Sequence, residues 1–181
     1  MRVTGGELLG RQVKVGGARS RPAMDRMRES VFASLGDLTG LSFLDLFSGS
    51  GIIALEAASR GAGYIEAVEM DPLKRKILLS NVKISPVQIH CKFIPVEHYV
   101  KRARSPKAAR AFDLVFCDPP FPYRFKWELL KAIASSALML PGSRLLLHRP
   151  REDICREPEI GLILENSKEF GRSIVDFYKL P

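Results

Sequence analysis

The stretch Phe43-Leu44-Asp45-Leu46-Phe47-Ser48-Gly49-Ser50-Gly51 limits what the chain can fold into more than any other. A β-prone apolar run stops where two glycines permit backbone conformations that a Cβ resists, so it reads as a strand entering a tight turn. Ile52 to Arg60 then has high helix propensity, with Gly61 placed as a left-handed C-cap. Strand, glycine turn and helix in immediate succession open a strand-helix-strand unit, and the turn offers bare backbone and a helix N-terminus to a ligand.

The chain downstream repeats the alternation. Tyr64 to Glu69 reads as a second strand, and Asp71-Pro72 starts a helix with Asp71 as its cap and Leu73, Ile77, Leu78 and Val82 as its buried stripe. Val87 to Ile94 reads as a third strand and Phe112 to Cys117 as a fourth, closed by Asp118-Pro119-Pro120-Phe121. A helix from Trp127 to Leu138, a fifth strand from Arg144 to His148, and a closing pair at Ile160 to Leu164 and Ser173 to Tyr178 follow. Upstream, Met27, Val31, Phe32 and Leu35 recur at helical spacing between Ala23 and Leu35, with Asp25, Arg26, Arg28 and Glu29 on the other positions. This order predicts an α/β fold: a mostly parallel sheet with helices on both faces and an antiparallel edge from the late strand pair. Ligands of such sheets lie beyond the carboxyl ends of the strands, where Asp45 to Gly51, Glu69 and Asp118 to Phe121 all fall.

With 181 residues, 46% of them apolar, the chain fits one domain with a real core. Its net charge of +8 points to an acidic partner, nucleic acid being the commonest. Residues 1–22, rich in Gly and Arg, read as a basic extension that forms a hairpin or stays loose until a partner arrives, and residues 23–181 as the main domain. No run is long enough to span a bilayer and no secretory signal opens the chain, so a cytoplasmic location is expected. Cys91, Cys117, Cys155, His90, His98 and His148 are scattered without ligand spacing; each reads as an ordinary core or surface residue, with no disulfide and no metal. Lys101, Arg102, Arg104, Lys107 and Arg110 form a run without an acid, either a solvated helix or loop or a grip on phosphates.

Two ligands compete for the glycine turn. Gly49 to Ala54 satisfies the permissive G-x-G-x-x-A dinucleotide fingerprint, with Glu69 near the spacing of the ribose-binding acid, yet Asp45 precedes the glycines and no hydride-transfer site follows. S-adenosylmethionine carries a sulfonium and an ammonium but no phosphate, so acids suit it: Asp45 for the ammonium, Glu69 for the ribose hydroxyls, glycines for close approach. Without a ligand, Asp45 reads as a helix cap and Glu69 as a strand-end surface acid. Asp118-Pro119-Pro120-Phe121 decides the chemistry. Consecutive prolines fix an extended backbone and remove two donors, so the Asp118 carboxylate and the Pro119 carbonyl can each accept a hydrogen of a planar amine while the base stacks on Phe121.

The Asp45 to Gly51 stretch, Glu69-Met70-Asp71 and Asp118-Pro119-Pro120-Phe121 resemble the motifs of class I adenosylmethionine-dependent amino-methyltransferases. Gly5-Gly6, Gly10-Arg11 and the run from Arg21 to Phe32 resemble the RsmD family, whose members methylate the exocyclic amine of one guanine in bacterial 16S ribosomal RNA. The resemblance implies a Rossmann-like class I methyltransferase domain with a small N-terminal extension. Its cofactor is S-adenosylmethionine, held by Asp45, Phe47, Gly49, Ser50, Gly51, Glu69 and Met70, with Asp118, Pro119, Pro120 and Phe121 at the chemistry. The implied substrate is an assembling small ribosomal subunit, bound by a monomer through Arg11, Arg19, Arg21, Arg26, Lys101, Arg102 and Arg104. Two departures stand out: Ala23 replaces the usual threonine after Arg21-Pro22, and the acid normally found beside the adenine after the third strand is not evident around Phe93 to Glu97. The rivals are a DNA adenine amino-methyltransferase and a non-catalytic RNA-binding protein on the same scaffold.

Overall fold

Strands that are apolar on both faces need cover on both faces, and the central strands here have it. The computed structural model describes residues 1–16, 22–105, 110–153 and 160–181. Strands β1 (Ser42–Leu46) and β4 (Leu114–Cys117) are buried along their whole length. Alternation sends Phe43, Leu114 and Phe116 into one apolar layer and Leu44, Leu46, Val115 and Cys117 into the other. The first layer is closed by α1 (Pro22–Leu35), α2 (Ile52–Ser59) and α3 (Pro72–Asn81), the second by α4 (Val96–Arg102) and α5 (Lys126–Ala134). Each fully buried aliphatic side chain stabilises the sandwich by about 1.5–3 kcal/mol.

The remaining strands are β2 (Tyr64–Val68), β3 (Ile89–Lys92), β5 (Arg144–Pro150), β6 (Ile163–Phe170) and β7 (Ser173–Lys179). The sheet order is β3-β2-β1-β4-β5-β7-β6, with β7 antiparallel to both of its neighbours. From β1 the chain winds outward through β2 and β3, then returns to place β4 on the other side of β1. A crevice opens where the direction reverses, beyond the carboxyl ends of β1 and β4. Leu46 pairs with Val68 on one side and Cys117 on the other, so the residues that follow those three strand ends converge.

The first sixteen residues fold back antiparallel through a single bridge and form no strand. Arg2 and Gln12 form an antiparallel bridge, and Val3, Leu8 and Val13 enter the same apolar layer as α1 and α2. The segment wraps the end of α2: Glu7 N donates to the Ser59 carbonyl, Leu8 N to Ser59 Oγ, and Gly6 adopts φ 75 where a β-carbon would collide with the Ser59 carbonyl. Arg19, Arg21, Lys107 and Cys155 lie outside the described residues.

Several boundaries differ from the sequence reading. The third strand covers only Ile89–Lys92, because Pro95 turns the chain into α4, a helix the basic run had hidden. Helix α5 ends at Ala134 rather than Leu138; Ser135 and Ser136 return their hydroxyls to the Lys131 and Ile133 carbonyls, which competes with helix extension. Strand β6 runs over Ile163–Phe170, not Ile160 to Leu164: it is a solvent-facing edge whose polar residues mask its periodicity. Leu73 is 83% exposed, not part of a buried stripe, since only the later turns of α3 meet the core. Arg28, outside the apolar stripe of α1, is nonetheless buried, where it pairs with Asp25 and Glu56.

Candidate active site at the strand ends

The turn after β1 is built by backbone geometry that its residues resist. Phe47 sits in the left-handed region at φ 62, a conformation costing a bulky residue on the order of 1–3 kcal/mol. Surrounding bonds enforce it: Ser48 N donates to the Val68 carbonyl, Gly51 N to the Ser48 carbonyl, and the Phe47 ring meets Tyr123 edge-on at 5.5 Å. Gly49 and Gly51 are both left-handed, and a β-carbon on Gly51 would lie 2.5 Å from Leu78 Cδ1. Gly51 therefore seats α2 against α3, and it does not line the cleft.

That cleft, about 840 Å³, is walled by Asp45, Phe47, Ser48, Gly49, Ser50, Glu69, Met70, Asp118 to Phe121 and His148, with Met24 and Met27 of α1 and Glu97 of α4 at its sides. Asp45 faces α2, as strand alternation requires. Its Oδ2 accepts from Ala54 N at 3.1 Å, so the capping reading holds, but Oδ1 is buried with no partner. Burial, then the nearby Asp118 and Glu69 carboxylates, push the Asp45 carboxyl well above its usual range. Glu69 is buried rather than a surface acid. Its Oε2 accepts from Gly49 N at 2.7 Å and its Oε1 from Asp71 N at 2.8 Å, so it braces the turn and the start of α3. Each oxygen keeps a second lone pair for a ligand.

Beyond β4, the double-proline turn is held from beneath. The buried Lys126 ammonium donates to the carbonyls of Phe121 and Tyr123 and pairs with Asp153 at 2.8 Å. The Pro120 carbonyl accepts from Tyr123 N, so of the two prolines only Pro119 keeps an unengaged carbonyl among the described residues. Phe121 is 46% exposed, with a face available for stacking. Asp118 Oδ1 lies 2.8 Å from His148 Nδ1, leaving Oδ2 toward the cleft.

Two of these residues escaped the sequence reading. His148 had looked like one of six scattered His and Cys residues. The pairing of Cys117 with Leu147 puts the next residues, Asp118 and His148, side by side, a signal available only once strand register is known. Glu97 reaches the cleft wall, held by the Tyr123 hydroxyl at 2.7 Å, so an acid does stand past the third strand. Cys117 is buried in the core, where burial pushes its thiol up and keeps it protonated.

The fit to a cationic nucleoside cofactor rests on the chemistry of this set. Three carboxylates converge, and the buried polar atoms without partners among the described side chains are Asp45 Oδ1, Ser48 Oγ and His148 Nε2, all three on residues that line the cleft. An orphaned buried acceptor costs about 1–3 kcal/mol until a ligand meets it. Among the described residues no cluster could hold a metal, and no helix is long and apolar enough to cross a membrane.

The predicted RNA contacts divide. Arg11 and Arg26 are exposed on the N-terminal segment and α1; Lys101, Arg102 and Arg104 are exposed on and just after α4. Helices α1 and α4 both contribute to the cleft wall, so exposed cations stand on the elements at either side.

A seven-stranded sheet in this order, with acids and a double proline at its switch point, defines a methyltransferase of the Rossmann-like class. The family described as "Conserved hypothetical protein 95" matches residues 1–179, and the chain belongs to it; this is the RsmD family. YlbH of Bacillus subtilis (strain 168) is 29% identical over 181 residues, spanning 99% of this chain and 98% of that one. Ribosomal RNA small subunit methyltransferase D of Haemophilus influenzae is 25% identical over 179 residues, 98% of this chain and 91% of that protein. A solved Escherichia coli structure superposes with a TM-score of 0.87 at 24% identity, covering 99% of this chain and 97% of that one, a likeness of fold.

Proposed function

We propose that the protein transfers the methyl group of S-adenosylmethionine to the exocyclic amine of a guanine in 16S ribosomal RNA, acting as a monomer on an assembling small subunit. One observation carries the reading: the partnerless Asp45 Oδ1 and the free Oδ2 of Asp118 line the same cleft as Glu69 and Pro119. The name of the Haemophilus influenzae relative supports the ribosomal RNA of the small subunit as substrate.

When bound, adenosylmethionine supplies an electrophilic methyl on a cationic sulfur. Asp45 Oδ1 holds the ammonium, the outer lone pairs of Glu69 accept the ribose hydroxyls, and Gly49 and Ser50 let backbone approach beside Phe47 and Met70. Gly51, which the resemblance placed among the cofactor contacts, acts through the packing of α2. Phe121 stacks on the target base. Asp118 Oδ2 and the Pro119 carbonyl each accept one hydrogen of its amine, which turns the nitrogen lone pair toward the methyl. Asp118 would take the proton released by the nitrogen as it gains the methyl, with the thioether of the bound group as the leaving group. Residues 1–22, with Arg11, Arg19 and Arg21, together with Arg26 of α1 and Lys101, Arg102 and Arg104 on and just after α4, contact RNA phosphates.

Mapping modified bases in small-subunit RNA from cells lacking the protein tests the substrate. Loss of a single methylguanine is expected, and intact modification overturns the reading. Asp118→Ala lowers methyl transfer by at least about a hundredfold while calorimetry finds cofactor affinity within about threefold of wild type. Undiminished turnover in that variant removes Asp118 from the chemistry.

A further inference from the structure

The cleft contains a nitrogen that the reaction above does not use. His148 is 2% exposed, follows the last β5 residue paired with β4 and so stands beside Asp118, and lines the cleft. Its Nδ1 lies 2.8 Å from Asp118 Oδ1, while Nε2 is closed to solvent and has no partner. A carboxylate oxygen only accepts, so Nδ1 carries the proton of that pair, and in the neutral ring Nε2 is left as a bare acceptor. Asp118 thus fixes the imidazole tautomer, and an unpartnered lone pair on a cleft-lining residue follows from it. The Phe121 ring stands edge-on to the imidazole with centroids 5.5 Å apart, so a base stacked on Phe121 lies within reach of the same histidine.

Resting on the proposed function, we infer that His148 Nε2 selects the base by accepting the ring N–H that neighbours the target amine. Guanine carries its 2-amine beside N1–H, a donor. Adenine carries its 6-amine beside N1, and cytosine its 4-amine beside N3, each a lone pair. With guanine, the buried acceptor gains its missing hydrogen bond. With either of the others, two lone pairs face each other and both stay unsatisfied, the situation that makes polar sites reject close analogues strongly. His148 is a specificity determinant through Nε2 and a positioning residue for Asp118 through Nδ1.

The test uses small-subunit particles assembled on ribosomal RNA that carries the mapped target as guanine or as 2-aminopurine, which keeps the 2-amine but has a lone pair at N1. Wild-type protein favours guanine by at least about tenfold in kcat/KM. His148→Asn retains an amide N–H near the Nδ1 position but has no distal acceptor, so its guanine rate falls and the two RNAs come within about twofold of each other. His148→Gln puts an amide oxygen near the Nε2 position and restores a preference for guanine at lower kcat. Calorimetric cofactor binding near the wild-type value in both variants shows that the fold and cofactor site are intact. Equal use of the two RNAs by wild type, or a guanine preference that survives His148→Asn, overturns the inference while leaving the proposed function standing. Wild type that binds cofactor but turns over neither RNA overturns the proposed function, and this inference with it.

Discussion

Asp45 and Glu56 are both fully buried carboxylates, on adjoining elements of one apolar layer, and their surroundings are opposites. Glu56 accepts from Thr4 N and Oγ1, from Arg28 Nε at 3.0 Å and from the Arg60 guanidinium. Both of its oxygens are engaged and two cations answer its charge. Asp45 receives one backbone hydrogen bond and faces two further carboxylates, with one oxygen left bare. A buried charge that is satisfied within the chain holds parts of the chain together: the N-terminal segment, α1 and α2 meet at Glu56. A buried carboxyl with an unmet oxygen makes the free protein less stable and leaves an acceptor open to a group from outside the chain.

The contrast is open to direct attack. Glu56→Gln removes the charge that answers the buried Arg28, and urea unfolding should show a loss of about 3 kcal/mol, with cofactor affinity of the folded protein unchanged; a loss under about 1 kcal/mol shows that the cluster does not brace the fold. Asp45→Asn should move the other way. Its amide oxygen still accepts from Ala54 N, so the free protein gains about 1 kcal/mol, while cofactor affinity falls about tenfold for want of a charged partner to the ammonium. Equal destabilisation by the two substitutions erases the distinction.

Titration gives a finer test. Because burial and like charges raise the Asp45 pKa in the folded protein, its contribution to stability is complete below the ordinary carboxylate pKa and is lost as pH rises through the elevated value. Stability of the free protein therefore carries a component that declines over that window, whereas affinity for the cofactor's ammonium climbs, with proton release detectable by calorimetry in buffers of different ionisation enthalpy. Both slopes flatten in Asp45→Asn. The smallest effect is Ser48→Ala, which removes an unpartnered hydroxyl: stability shifts by no more than about 0.5 kcal/mol, and cofactor affinity weakens about threefold.

Local chemistry was legible in the sequence; chemistry made by register was not. The strand-turn-helix at Phe43 to Ser59 and the Asp118 to Phe121 rim are written in consecutive residues, so propensity and glycine or proline geometry sufficed to place them. His148 acquires its meaning from the neighbouring strand, thirty positions away along the chain. Glu56 read as an ordinary helix former, because the partners that bury it come from the segment around Thr4 and from Arg28, and Arg28 in turn fell outside the apolar stripe of a helical pattern that cannot register a docked N-terminus. Leu73 failed for a related reason: helical spacing marks a stripe, but only tertiary packing says where along the helix the cover ends.

Asn81 joins the two regions. Its Oδ1 accepts from Lys14 N, and its Nδ2 donates to the Lys14 and Ser50 carbonyls. One amide thus serves as the pivot between the N-terminal segment and the glycine turn. Lys14 and Ser50 are 36 positions apart in the chain, yet each is anchored by the same side chain. Drawing the N-terminal segment outward by more than a hydrogen-bond length removes one of the anchors of the turn, so the docking of that segment and order at the glycines are mechanically linked.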